Sequence, residues 1–425
     1  MLGWQTGEAD WRRLTRAVFA LGAALGLWLW ARPVWIYRDQ VELYTLGMEL
    51  VRGGSPAAFG KLMTGDYALP GALLQLLVGL PLALWRDFRA PTLLLQATHL
   101  AAGALLLATV RRRYGWRPAA LFGMVFWLGP WRLFHSGYLW ESNFLFLPAA
   151  VHLWVSDALR RRPRVGPSLA LGALLTATPQ VHGSALILLF ATAWLAWRRH
   201  LRPHWPAAAA GALLGGLTLW PTLVAWLRGG AAPPSDPVAL DLLMRANSVE
   251  KALLYWLRFG SLDMGRRYRQ MVFCELPGSD ETRSALLCAA GELTHLLGLL
   301  SVLLPVAASW WLLRRRPAGA APRPWARSYG LAVLGSSLAA AALSPILMQG
   351  WHLLLAVPAA SLPVALWLDH LWPPARRWLR LAVLLFLLWR LPAALLLGLG
   401  HPMYVAPPDE TLRRHVIPER LLTLD

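Results

Sequence analysis

Tyr37-Arg38-Asp39-Gln40-Val41-Glu42 follows directly on the first long apolar run of the chain, Leu14 to Val34. Ionisable residues at the mouth of a membrane span cost free energy unless water or a partner satisfies them, so they mark functional positions. Asp39 is read on this ground as the catalytic carboxylate, the plainer alternative being a solvated ion pair with Arg38 or Arg32. Glu42 lies one turn further on, facing either the same cavity or solvent. Arg12 and Arg13 precede the run, and no small-residue cleavage site breaks it before Trp35, so it is read as a retained span entering from the cytoplasm.

Composition extends that reading to the whole chain. Of 425 residues 57% are hydrophobic and only 15% charged, with 25 Trp. A soluble domain carries about a quarter charged residues. The sequence predicts an all-α polytopic membrane protein, its Trp-rich runs such as Trp28, Trp30 and Trp35 serving as interfacial belts.

A net charge of +19 raises the question of nucleic acid, and the placement of the charges answers it. Lys61 and Lys251 are the only lysines, and the arginines cluster between apolar runs, at 12 to 16, 111 to 117, 160 to 164, 198 to 202, 314 to 327 and 376 to 380. That is the positive-inside pattern, which points to a bilayer and to no nucleic acid.

With the clusters as cytoplasmic markers and about 20 apolar residues per span, the crossings are Leu14 to Val34, Pro91 to Val110, Pro118 to Phe134, Phe144 to Leu159, Gly166 to Ala177, Gly183 to Trp197, Pro206 to Leu227, Leu293 to Leu313, Tyr329 to Leu343, Leu353 to Trp372 and Leu379 to Leu399. These are about eleven spans in one domain, residues 1–400, followed by a non-cytoplasmic tail, 401–425. Parity requires that Ala68 to Trp85, short and broken by Pro81, lie in the interface rather than cross. The first outer loop, 32–90, is then long and partly embedded. A hairpin of two spans with reversed topology downstream is the alternative. A second, mixed-charge outer loop runs over 228–292, where Arg245, Lys251, Arg258, Arg266, Arg267 and Arg269 could meet an anionic lipid or glycan but are nearly balanced by Asp241, Glu250 and Asp263, as in surface ion pairing. Cys274 and Cys288 both fall in this loop, where a disulfide is possible in an oxidising compartment.

The bookkeeping places Asp39, Glu42, Asp66, Glu141, Asn143, Gln180, His182, Gln349 and His352 on one non-cytoplasmic side, at the ends of different spans, with Lys61 in the first loop. Polar groups gathered at one membrane surface read as a site built between helices.

Tyr37-Arg38-Asp39-Gln40, Gly65-Asp66-Tyr67-Ala68-Leu69-Pro70, Tyr138-Leu139-Trp140-Glu141-Ser142-Asn143, Gln180-Val181-His182 and Gly350-Trp351-His352-Leu353-Leu354-Leu355-Ala356-Val357-Pro358 resemble, in their order and sidedness, the GT-C-fold glycosyltransferases. The likeness is to the bacterial members of glycosyltransferase family 39 type, related to protein O-mannosyltransferases and aminoarabinose transferases. The resemblance implies transfer of a sugar from a polyprenyl-phosphate donor to a lipid, glycan or protein acceptor, in the cell envelope, on the periplasmic or exterior face of the bacterial inner membrane. It implies Asp39 as general base. The lipid phosphate leaving group needs cationic or hydrogen-bonding partners, for which Lys61, His182 and His352 are candidates. Glu141 matches an acidic position that helps hold a divalent cation in some members, although one acid followed by Ser and Asn is a poor metal set.

The chain departs from the family pattern at Gln40, where a second acid is usual, at Glu141-Ser142-Asn143, where Asn-Pro is usual, and in lacking a large soluble outer domain. Those departures argue against a paired-acid mechanism and against a peptide-sequon transferase. Two other classes share the architecture: a transporter or lipid flippase, and a non-catalytic envelope-glycan assembly protein. No internal repeat with matched broken helices favours the transporter.

Overall fold

The computed structural model describes residues 7–31, 38–63, 67–230, 242–265, 281–314, 323–372 and 377–400. Asp66, Cys274 and the tail 401–425 lie outside them. The chain is mostly helical, with one two-stranded antiparallel sheet among the described residues.

Among the described residues five helical segments, Glu8–Ala31, Arg89–Tyr114, Trp205–Leu227, Cys288–Leu313 and Gly350–Leu371, are long and apolar enough to cross a bilayer. Hydropathy predicts about eleven crossings, and several of the predicted runs carry local breaks or are short helices. The run from Trp116 to Phe134 is helical to Phe122, widens into a π-turn over Gly123–Trp127 and restarts at Pro130. Phe146–Ala158 and Val165–Ala177 have 13 residues each, about 20 Å at 1.5 Å per residue against a hydrocarbon core of about 30 Å.

The first helix, α1 (Glu8–Ala31), leads into α2 (Arg38–Val51). Strands β1 (Phe59–Met63) and β2 (Tyr67–Pro70) then form a hairpin whose register shifts between Phe59 and Leu62. The stretch read as interfacial is β2 followed by α3 (Leu73–Leu84), 12 residues with Pro81 inside. Leu74, Val78 and Leu82, on one face of α3, are buried, and Gly47 of α2 lies against Val78 and Gly79. This close approach seats the hairpin beside the start of α2.

Val165–Ala177 and Trp205–Gly216 pack backbone to backbone. Glycine permits it: a Cβ on Gly172 would meet the Ala208 carbonyl, one on Gly211 the Leu169 carbonyl, and one on Gly215 the Ala173 carbonyl. Small residues four apart are the usual means of close helix approach where lipid supplies no hydrophobic drive.

Within 228–292, read as a surface loop, Leu242–Phe259 is an 18-residue helix docked into the bundle. Ser248, Ala252, Tyr255, Trp256 and Phe259 form its buried face. Met348 N donates to Ser248 Oγ (3.2 Å), Ser361 Oγ donates to Phe259 O (3.4 Å), and Gly260 abuts Val364. Its charged face lowered the hydropathy of the segment and hid the apolar stripe. The Arg258–Asp263 pair is correspondingly buried rather than a surface pair: Arg258 Nε lies 2.8 Å from Asp263 Oδ2, and the Asp263 side chain is 1% exposed. Cys288 is disulfide-bonded.

Gly211→Leu forces a side chain into the Leu169 backbone. The expected result is a loss of about 1–3 kcal/mol, the usual cost of overpacking, read as a lower melting temperature in detergent, with Gly166→Leu, where nothing lies within 4 Å, as the neutral control.

Candidate active site

Asp39 sits in the first turn of α2, where the positive end of the helix favours a carboxylate, and Glu42 lies three residues on, on the same face. Both face the hairpin, and β1 delivers Lys61 between them. Lys61 Nζ lies 2.9 Å from Asp39 Oδ1, 3.4 Å from Glu141 Oε2 and 4.0 Å from Glu42 Oε2. The Lys61 and Glu141 side chains are 5% and 4% exposed, whereas Asp39 is 43% exposed. A buried ammonium and carboxylate thus hold an open carboxylate at the edge of the site. Burial alone would depress the Lys61 ammonium, but Glu141, Asp39 and Glu42 outweigh it and hold it above its ordinary value. Burial pushes the Glu141 carboxyl up against the pull of Lys61.

Glu141 opens the 3-10 helix Glu141–Leu145, and the loop before it is pinned from beneath. His99 Nε2 donates to Asn143 O (2.9 Å), Asn143 Nδ2 donates to Tyr138 O (2.9 Å), and Gln96 Nε2 donates to Ser136 O. The Asn143 amide is thereby oriented, so His135 Nδ1 must donate to Asn143 Oδ1 (2.7 Å). Burial holds the His135 imidazole down at about 3, neutral in this tautomer. Asn143, expected at the substrate, fixes the loop that carries Glu141. Sequence reasoning missed Gln96, His99 and His135; the density of polar residues from His135 to Asn143 was the available signal.

His182 and His352 meet across two further 3-10 segments, their ring centroids 5.7 Å apart. His182 Nδ1 accepts from Ser184 N (3.0 Å), and His352 Nδ1 accepts from Gln349 N (3.1 Å). In a neutral imidazole the other nitrogen then carries the proton. Both rings present an Nε2–H donor, and that of His182 is buried without a partner among the described residues. Burial, His352 and Lys61 all depress the His182 imidazole, which keeps it neutral. The Gln349 side chain accepts from the His352 backbone in a reciprocal cap, a structural duty.

Gln180 lies outside this cluster of contacts. Its Nε2 donates to Thr176 O (3.0 Å) and Gly215 O (2.9 Å), and Thr218 Oγ1 donates to its Oε1 (2.7 Å), so it ties helices together. As for a cation, the Glu141 carboxylate faces an ammonium, and no group of three His, Cys, Asp or Glu is arranged to hold a metal among the described residues. The described residues around Glu141 do not fit a divalent ion.

The fold is similar to that of a solved membrane-protein structure. The crystal structure of ArnT from Cupriavidus metallidurans bound to undecaprenyl phosphate matches over 93% of this chain and 76% of that chain, with a TM-score of 0.53 and 15% identity. Its apo state matches over 91% and 75%, with a TM-score of 0.48 and 15% identity. No family model and no curated protein matches the chain. The apolar helices and this fold define an integral membrane protein.

Lys61→Met leaves Glu141 buried without its cation, an expected loss of about 3–5 kcal/mol at neutral pH. Lys61 contributes its stabilisation below its ordinary value of 10.5 and loses it only above. Because burial raises Glu141, stability falls as pH climbs through its ordinary 4.5, more steeply in Lys61→Met than in wild type. Thermal unfolding from about pH 4 to pH 8 checks the slope, and Lys61→Met/Glu141→Gln recovers most of the loss.

Proposed function

We propose that the chain is a membrane glycosyltransferase that moves a sugar from a polyprenyl-phosphate donor to an acceptor hydroxyl or amine, with Asp39 as general base. The observation that carries this reading is an open carboxylate paired with Lys61 on a GT-C-like fold, together with two neutral donors, His182 and His352, that face each other, His182 near enough to Lys61 to feel its charge. Asp39 takes the acceptor proton as the acceptor attacks the anomeric carbon. The bond from that carbon to the phosphate oxygen breaks, and the polyprenyl phosphate departs with the electron pair. Lys61 and the two Nε2–H groups supply charge-assisted and neutral hydrogen bonds to the phosphate oxygens. The neutral histidines add donors without adding a buried charge. Undecaprenyl phosphate in the ArnT crystal structure supports a lipid of that class here. The reaction is placed on the periplasmic or exterior face of the inner membrane, following the arginine clusters.

The test is the glycolipid and surface-glycan composition of cells carrying wild type, a deletion or Asp39→Asn at matched membrane abundance, measured by mass spectrometry. Asp39→Asn is expected to lower transfer by about 100-fold or more, the usual worth of a general base, and so to lose the same sugar as the deletion. Full restoration by Asp39→Asn overturns the reading and moves a transporter, flippase or assembly role ahead.

A further inference from the structure

Arg390 stands apart from the cluster around Lys61. Its side chain is fully buried, 0% exposed, on the apolar segment Leu381–Ala393. Nη1 donates to Ser261 O at 3.4 Å, and the guanidinium lies 4.7 Å from the Phe386 ring centroid. Nε and Nη2 have no partner among the described residues. The carboxylate of the neighbouring turn is already engaged, since Asp263 accepts from Arg258 Nε (2.8 Å) and Gly265 N (2.9 Å) and pairs with His295 Nδ1 (3.0 Å).

Arg132 shows what this fold does with a buried structural arginine. It donates Nε to Trp127 O (2.9 Å) and Nη2 to Gly22 O (2.8 Å), and it lies 3.6 Å from the Trp127 ring centroid. Arg390 has only one long bond. A buried guanidinium left without partners costs several kcal/mol, so such groups in a membrane protein mark sites.

The two orphaned nitrogens are also not an arbitrary pair. Nε–H and the adjacent Nη2–H lie on one edge of the guanidinium and point in parallel, the fork that engages two oxygens of one oxyanion. Leu388, 54% exposed, and the exposed Pro392 lie two residues to either side of Arg390, so the segment that carries it also reaches the surface. We propose that Arg390 anchors a second oxyanion site that takes one phosphate group, from a phospholipid headgroup or from free phosphate, separate from the Lys61 cluster.

The experiment uses the purified full chain in nanodiscs. In phosphatidylcholine discs inorganic phosphate is titrated while the melting temperature is read, and in a second arm phosphatidylglycerol replaces part of the lipid and native mass spectrometry counts retained molecules. Wild type is expected to gain a saturable rise of a few degrees in at least one arm. A response to phosphate names the free ion as the source, and a response only to phosphatidylglycerol names the headgroup. Arg390→Lys, which keeps the charge and loses the fork, is expected to lose the response, whereas Lys61→Met/Glu141→Gln keeps it. No response of wild type in either arm overturns the inference, even if the Arg390 variant fails to fold. A response kept in Arg390→Lys but lost in the Lys61 double variant also overturns it, leaving the glycosyltransferase reading intact.

Discussion

The architecture of the site depends on one buried ammonium. Lys61 is held among three carboxylates, two of which, Asp39 and Glu42, come from α2, while Glu141 comes from a 3-10 turn 80 residues later. Removing a charge pair from water costs more than an ordinary contact returns, so the arrangement persists only because geometry and hydrogen bonding satisfy it. The hairpin exists to deliver that lysine, α3 packs beneath it to hold the hairpin, and the His99–Asn143–His135 network fixes the loop on the opposite side. Asp39 is the one carboxylate of the three that combines a short contact to Lys61 with large exposure, which is the combination a base facing a substrate requires.

The membrane class was legible because charge placement and apolar runs are long-range statistical signals. Asp39, Lys61, Glu141, His182 and His352 were all marked by rarity: each is an ionisable residue in otherwise apolar surroundings. What they do to one another was not legible. Lys61 was read as a phosphate partner, and its three carboxylate neighbours converge only when strand, helix and turn are folded together. Asn143 and Gln180 were marked for the same reason of polarity, yet their partners are carbonyls on other elements, such as Tyr138 and Gly215, that no spacing rule anticipates.

The local geometry of the crossings was hidden for a different reason. Hydropathy sees composition and not backbone geometry, so it did not anticipate that Gly123–Trp127, Thr178–Gln180 and Gly183–Ala185 interrupt the α-helical ladder. The docked helix Leu242–Phe259 was missed in the opposite sense, because Arg245, Lys251 and Arg258 mask the apolar face that seats it beside Gly350–Leu371.

Each of the two paired histidines has its Nδ1 occupied by a backbone N–H only two or three residues away. The direction in which each ring offers its proton is therefore written into a single local turn and owes nothing to the packing of distant helices. Any shift of the helices around the site would leave the polarity of the two rings unchanged.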